Sequence, residues 1–119
     1  KPHPVLTQAM SQLEEYFAGT RTQFDVPTDA TGTPFQEAIW RTLSEIPFGQ
    51  AMSYQELGLA AGVGTAPRAV GGAVGKNPIP IIIPCHRILA SNQRITGYSG
   101  GEGIPTKVAL LELEGISYR

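Results

Sequence analysis

After Pro4, apolar positions fall at Val5, Leu6, Ala9, Met10, Leu13 and Phe17, the spacing of an amphipathic helix, and Gly19 is placed to end it. Gln23 to Pro27 reads as extended, and Thr28 to Gly32 as a turn-rich linker. A second helical stripe, Phe35, Ala38, Ile39 and Leu43, follows Thr33, Pro34 and Gln36. A capping hydroxyl, a proline whose missing N–H costs nothing in the first turn and a glutamine able to reach back to the cap predict a helix to about Glu45. Beyond the turn at Pro47 and Gly49, Ser53 and Glu56 repeat the capping-box pattern and open a short helix that closes near Gly62. Thr65 is placed to cap a third helix running to about Lys76.

Two short helices joined by a tight glycine-containing turn have the pattern of a helix-turn-helix, which small domains also use simply for packing. The second of them carries Ala69, Gly71, Gly72, Ala73 and Gly75, and each glycine in a helix interior costs about 1 kcal/mol relative to alanine. Such a helix is shaped for close approach, either by another helix or by a nucleic-acid backbone. Pro78 to Pro84 then encloses Ile79, Ile81, Ile82 and Ile83. Proline cannot sit inside a hydrogen-bonded ladder, so this run is expected to be a buried, extended but kinked approach to Cys85. The expected fold is mainly α (α+β), a small helical domain with a winged-helix-like helix-turn-helix and a short extended or hairpin segment at the candidate site.

Composition narrows the function classes. At 119 residues and 41% apolar content the chain supports one domain with a real core, and residues 1–32 are expected to be the remnant of an N-terminal domain plus a linker. Beginning at Lys1 without a signal core or spanning run, it is expected to be a soluble intracellular protein trimmed upstream, cytoplasmic or, in a eukaryote, nuclear. Its single cysteine cannot form an internal disulfide, and with only His3 and His86 beside it no metal site or cofactor is expected. The net charge of −1 is not that of a typical DNA-binding domain. Its distribution is more telling: Leu57 to Gly101 contains no Asp or Glu but holds Arg68, Lys76, Arg87 and Arg94.

The candidate chemistry lies in Cys85, His86 and Arg87, where a thiol, an imidazole and a guanidinium share one short segment beside an apolar wall. A neighbouring imidazole and positive charge favour the thiolate, which is the nucleophilic form. Adjacent side chains of an extended segment point to opposite faces, so His86 is expected to reach Cys85 through a kink or a water. By residue type alone, a lone cysteine is more often a buried small hydrophobe.

The string Pro84, Cys85, His86, Arg87, with Asn77, Pro78 and the isoleucines before it, resembles the active-site signature of the O6-alkylguanine-DNA alkyltransferases. Ile46 to Leu57 resembles that family's entry to its helix-turn-helix, Arg68 to Gly72 its recognition segment, Tyr98 to Gly101 its substrate loop and Leu110 to Gly115 its closing helix. Several motifs in one order over Thr33 to Gly115 are far more specific than any one alone. The resemblance implies that residues 33–119 form a DNA-binding and alkyl-acceptor domain. It further implies that Cys85 accepts the alkyl group, His86 is a water-linked base and Glu114 orients the imidazole. Tyr54 matches a tyrosine that crowds the target phosphate and can donate toward the guanine, and Asn77 a hinge between recognition helix and active-site loop. Arg68 matches a finger that fills the gap left by the extruded base, with Ala69, Gly71 and Gly72 entering the minor groove. Tyr98, Ser99, Lys107 and Ile88 match groups around the flipped base. The segment Gly101 to Lys107 is about two residues longer than the family's usual loop.

The implied function is direct, single-use repair of O6-alkylguanine, and by extension O4-alkylthymine, in double-stranded DNA by a monomer that needs no membrane. Its nearest rival is a non-enzymatic damage sensor of the same fold, against which Cys85 itself argues, because such sensors replace the cysteine. A DNA-binding regulator leaves the Cys85 and His86 pairing unexplained, and a cysteine hydrolase lacks an oxyanion motif here.

Overall fold

The computed structural model describes residues 4–26, 31–64, 66–95 and 103–119. Among the described residues there are five α-helices: α1 (Pro4–Phe17), α2 (Pro34–Ser44), α3 (Tyr54–Ala61), α4 (Pro67–Gly75) and α5 (Ile104–Glu114). Two-residue strands β1 (Met52–Ser53) and β2 (Ile88–Leu89) pair in parallel, Met52 with Ile88 and Ser53 with Leu89. This parallel pair joins segments far apart in sequence and is not a hairpin. No helix among the described residues is long and apolar enough to cross a membrane.

Local chemistry sets the helix ends. Thr33 Oγ1 accepts from the Gln36 amide and Gln36 Oε1 from the Thr33 amide, each at 3.1 Å, which caps α2 just before its first residue, Pro34. Ser53 and Glu56 make the same reciprocal pair and start α3. Gly62, at φ 73°, ends it in the left-handed conformation. The start of α4 departs from expectation: its cap is Ala66, which offers no side-chain bond, and Thr65 lies outside the described residues. Pro67 at the first position supplies the fixed φ in its place.

Helices α2, α3 and α4 pack together around Ile39, Trp40, Leu43, Leu57, Val70 and Ala73. Trp40 Nε1 donates to the Ala73 carbonyl at 2.9 Å, so the large apolar ring that joins α2 to α4 also has its polar edge satisfied. The helix-turn-helix of α3 and α4 closes tightly because residue 58 is glycine. A Cβ there would stand 2.0 Å from the Gly64 carbonyl oxygen. Ile83, Cys85 and Ile88 belong to the same core, which therefore extends to the candidate site.

The first helix covers only part of its apolar stripe, with Val5, Ala9 and Leu13 half-buried. Leu6, Met10 and Phe17 are exposed at 63%, 63% and 54%, whereas Gln12 and Tyr16 are buried. Each has a partner for a polar atom: Gln12 Oε1 accepts from the Asp25 amide, and the Tyr16 hydroxyl donates to Glu114. Satisfied in this way, they can be withdrawn from water at little cost.

Candidate functional site

The expected extended run before Cys85 is instead a pair of turns. Ile81 adopts φ 77°, a conformation rare for a β-branched side chain, and the segment folds back so that Pro80 bridges Ile83. Ile83 and Pro84 are buried, but Ile79, Ile81 and Ile82 are only partly so. Asn77 holds this loop closed, its Nδ2 donating to the Ile83 carbonyl at 2.8 Å and its Oδ1 accepting from the Ile79 amide at 3.0 Å. Asn77 lies two residues past the end of α4, so these bonds tie the exit of the small-residue helix to the approach to Cys85.

Cys85, His86 and Arg87 form a single 3-10 turn, and all three are buried. Cys85 retains 6% exposure at the edge of the core, and His86 retains none. Its Nε2 lies 2.6 Å from Glu114 Oε2. A carboxylate accepts and cannot donate, so the proton shared in this contact belongs to Nε2 and the lone pair to Nδ1. Among the described residues, Nδ1 of His86 is the buried side-chain nitrogen left without a hydrogen-bond partner in the protein.

Glu114, the last residue of α5, gathers the site. Besides His86 it accepts from Arg87 Nε at 2.8 Å, Arg87 Nη2 at 3.0 Å, the Tyr16 hydroxyl at 2.5 Å and the Gly49 amide at 3.1 Å. Burial pushes its carboxyl up, but the bonds from His86, Arg87, Tyr16 and Gly49 outweigh this and bring it down to about 2. It is thus an ion pair and not a solvated helix-end charge. His86 is held below its ordinary range, first by burial, which outweighs the pull of Glu114, and then by the nearby charges of Arg87 and Lys107. A neutral imidazole is the form able to take a proton. Arg87 has a second anchor, donating from Nη1 to the Ile46 carbonyl at 2.6 Å, and its guanidinium lies 5.9 Å from the centre of the Phe48 ring.

Two residues expected around a bound base are placed differently. Ile88 is fully buried in β2 and its side chain belongs to the core. Lys107 is 1% exposed, and its Nζ donates to the Ile88 carbonyl at 2.6 Å, which makes it a tether behind the cysteine turn. Burial lowers its ammonium to about 8, with Cys85 close enough to oppose that shift. Tyr98 and Ser99 lie outside the described residues. A cavity of about 710 Å³ is bounded by Phe24, Ile46, Phe48, Ile82 and Pro84; Cys85 does not line it.

Helix α4 carries the residues expected to meet DNA. Val70 and Ala73 face the core, whereas Arg68, Ala69, Gly72 and Gly75 are exposed. A Cβ on Gly72 or Gly75 would meet nothing within 4 Å, so no neighbour within the described chain accounts for these glycines. On Gly71 it would stand 3.8 Å from Tyr54 Cε1, which places the half-buried tyrosine at the start of α3 beside this helix. An exposed arginine at the head of a smooth helix suits an extended, negatively charged backbone. Sequence reasoning overlooked Tyr16, whose partner is 98 positions away, and understated Arg87, which bonds the same carboxylate as His86.

Residues 34–116 match the family model described as the 6-O-methylguanine DNA methyltransferase DNA binding domain, and residues 2–30 match that of the ribonuclease-like domain. The chain is 44% identical to the constitutive methylated-DNA–protein-cysteine methyltransferase of Bacillus subtilis over 119 residues, covering all of this chain and 72% of that protein. It is 51% identical to the methylated-DNA–protein-cysteine methyltransferase of Mycobacterium tuberculosis over 106 residues, covering 89% of this chain and 63% of that protein. Among solved structures, Mycobacterium tuberculosis OGT in complex with DNA superposes with a TM-score of 0.87 at 50% identity, over 92% of this chain and 66% of that one. Schizosaccharomyces pombe Atl1, in complex with damaged DNA containing O6-carboxymethylguanine, gives 0.62 at 25% identity over 74% and 82%. With a matched region running from the helix-turn-helix through the cysteine turn to Glu114, the chain belongs to the 6-O-methylguanine DNA methyltransferase family.

Proposed function

We propose that this chain repairs O6-alkylguanine in double-stranded DNA by moving the alkyl group onto Cys85, once per molecule. The observation that carries this reading is the polarity of His86. Its Nε2 is committed to a carboxylate held near the bottom of its range, and its Nδ1 is left as a base on the residue that follows the chain's single cysteine. In this reading His86 takes the thiol proton through a water. The thiolate sulfur attacks the alkyl carbon, the carbon–O6 bond breaks, and its electron pair leaves with the guanine, which takes up a proton. A thiol and an alkylguanine become a thioether and guanine. The thioether has neither an acidic proton nor a good leaving group, so nothing regenerates the site.

The reacting carbon lies inside a stacked duplex and has to be swung out before attack. Arg68 is the group proposed to fill the gap, with Ala69, Gly71 and Gly72 against the minor groove and Tyr54 at the target phosphate, where its hydroxyl can assist the leaving guanine. Asn77 would hold groove helix and cysteine loop in register. Tyr98 and Ser99 are proposed contacts of the everted base. Residues 33–119 would form this working unit, with 1–32 the remnant of a further domain, and the protein would act as a monomer, in the cytoplasm or nucleus. The names of the Bacillus and Mycobacterium relatives support the alkyl-transfer reading, and the presence of Cys85 favours it over a sensor that only binds.

Titrating a duplex that carries one O6-methylguanine with increasing protein tests the proposal. Lesion loss rising linearly and stopping at one lesion per protein is the expected result. Binding without loss would indicate a sensor, equal affinity for undamaged duplex without loss a regulator, and continued loss beyond equivalence a turnover enzyme.

A further inference from the structure

We infer that Tyr16 is a positioning residue of this site: its hydroxyl, delivered by α1, holds the Glu114 oxygen that faces His86 and thereby sets how firmly the imidazole keeps a proton. The geometry is direct. The Tyr16 hydroxyl lies 2.5 Å from Glu114 Oε2, and His86 Nε2 lies 2.6 Å from that same oxygen. Tyr16 is fully buried, and its ring is fixed by Phe17, Phe24 and Phe48 with centroids 5.3, 5.5 and 6.1 Å away. Phe48 also faces the Arg87 guanidinium, so one aromatic group supports two of the donors on Glu114.

The consequence follows from charge. Each donor on a carboxylate spreads its negative charge and weakens its hold on any other proton. A phenol on Oε2 competes with the imidazole for that oxygen, so it makes the imidazolium less stable and the neutral base more available. The charged groups that act on His86 are Glu114 from α5 and the cations Arg87 and Lys107, and Cys85 shares its turn. Tyr16 enters through Glu114. Residues 2–30, which match the ribonuclease-like domain, would thereby take part in tuning the acceptor site and not only in folding.

A buried tyrosine needs a hydrogen-bond partner whatever its function. The test therefore reads the imidazole. In the unreacted chain, Tyr16→Phe keeps the ring and removes the donor. By NMR titration the His86 pKa is expected to rise by about half to one unit. Site-specific 3-fluorotyrosine at position 16, a stronger donor, is expected to move it down. In a Glu114→Gln background neither change should shift it. For alkyl transfer, the inference rests on the proposed function, and the acid limb of the rate against pH should move with the imidazole. An unmoved His86 pKa in the fluorotyrosine protein, which keeps every contact, overturns the inference even if Tyr16→Phe fails to fold. Because the titration uses no DNA, a wild-type chain that takes up no alkyl group would defeat the proposed function while leaving the role of Tyr16 to be judged separately.

Discussion

Arg87 and Glu114 meet edge to edge in the interior, with Nε 2.8 Å from Oε1 and Nη2 3.0 Å from Oε2. The pair joins the cysteine turn to the end of α5, and through Arg87 Nη1 to the Ile46 carbonyl it also fixes the loop after α2. Removing one partner of a buried ion pair leaves an uncompensated charge and costs about 3–5 kcal/mol, whereas replacing both by apolar groups of similar volume is often nearly neutral. Arg87→Met is therefore expected to lower the urea midpoint sharply. The double change Arg87→Met with Glu114→Leu should recover only a small part of the stability and none of the transfer, because His86, Tyr16 and Gly49 lose the same acceptor. Equal stability of the single variant and the wild type would contradict the pairing.

Stability should also fall in acid, in two stages. His86 and Glu114 are both held below their ordinary values, so the unfolded chain takes up each proton first. Their contributions are complete above the unfolded values and are lost as pH drops. Loss begins below the ordinary histidine value of 6.5, and steepens from the ordinary carboxyl value of 4.5 toward about 2. The Glu114 part is worth roughly 3 kcal/mol at neutral pH. Urea midpoints measured from pH 7 down to acid for wild type and Glu114→Gln isolate it. The gap between the two curves should narrow below pH 4.5, and a constant gap would refute the assignment.

What the sequence revealed depended on range. Capping at Thr33 and Ser53 involves residues three apart and was legible, and so were the helices they start. The cap of α4 was not, because Ala66 offers no side-chain signal. The run before Cys85 read as extended because four isoleucines favour strands. Its turns are set by Asn77 and by the positive φ of Ile81, which composition does not announce. Periodicity showed that α1 has an apolar face but not how much of it would be covered. Tyr16 is buried because Glu114 is present to receive its hydroxyl, and that relationship exists only in the folded chain. Glu114 itself was found through the family motif; taken alone, a glutamate at a helix end reads as solvated.

Arg68 stands exposed at the head of α4, and its proposed work is to stabilise a base-extruded duplex. Arg68→Ala is expected to react with free O6-methylguanine at close to the wild-type rate and with duplex DNA about tenfold or more slowly, since extrusion costs a few kcal/mol. Affinity for duplex should decline as salt rises, with a shallower slope in the variant. Equal slowing on free base and duplex would contradict the finger role.

The most direct measurement is the mass of the peptide containing Cys85 after the chain has met an O6-methylguanine duplex. The expected result is one added methyl group per chain, in place of the thiol proton on Cys85, absent from Cys85→Ser, and unchanged by further substrate. An unmodified Cys85 peptide from protein that has consumed the lesion, or a methyl group carried elsewhere on the chain, would contradict the assignment.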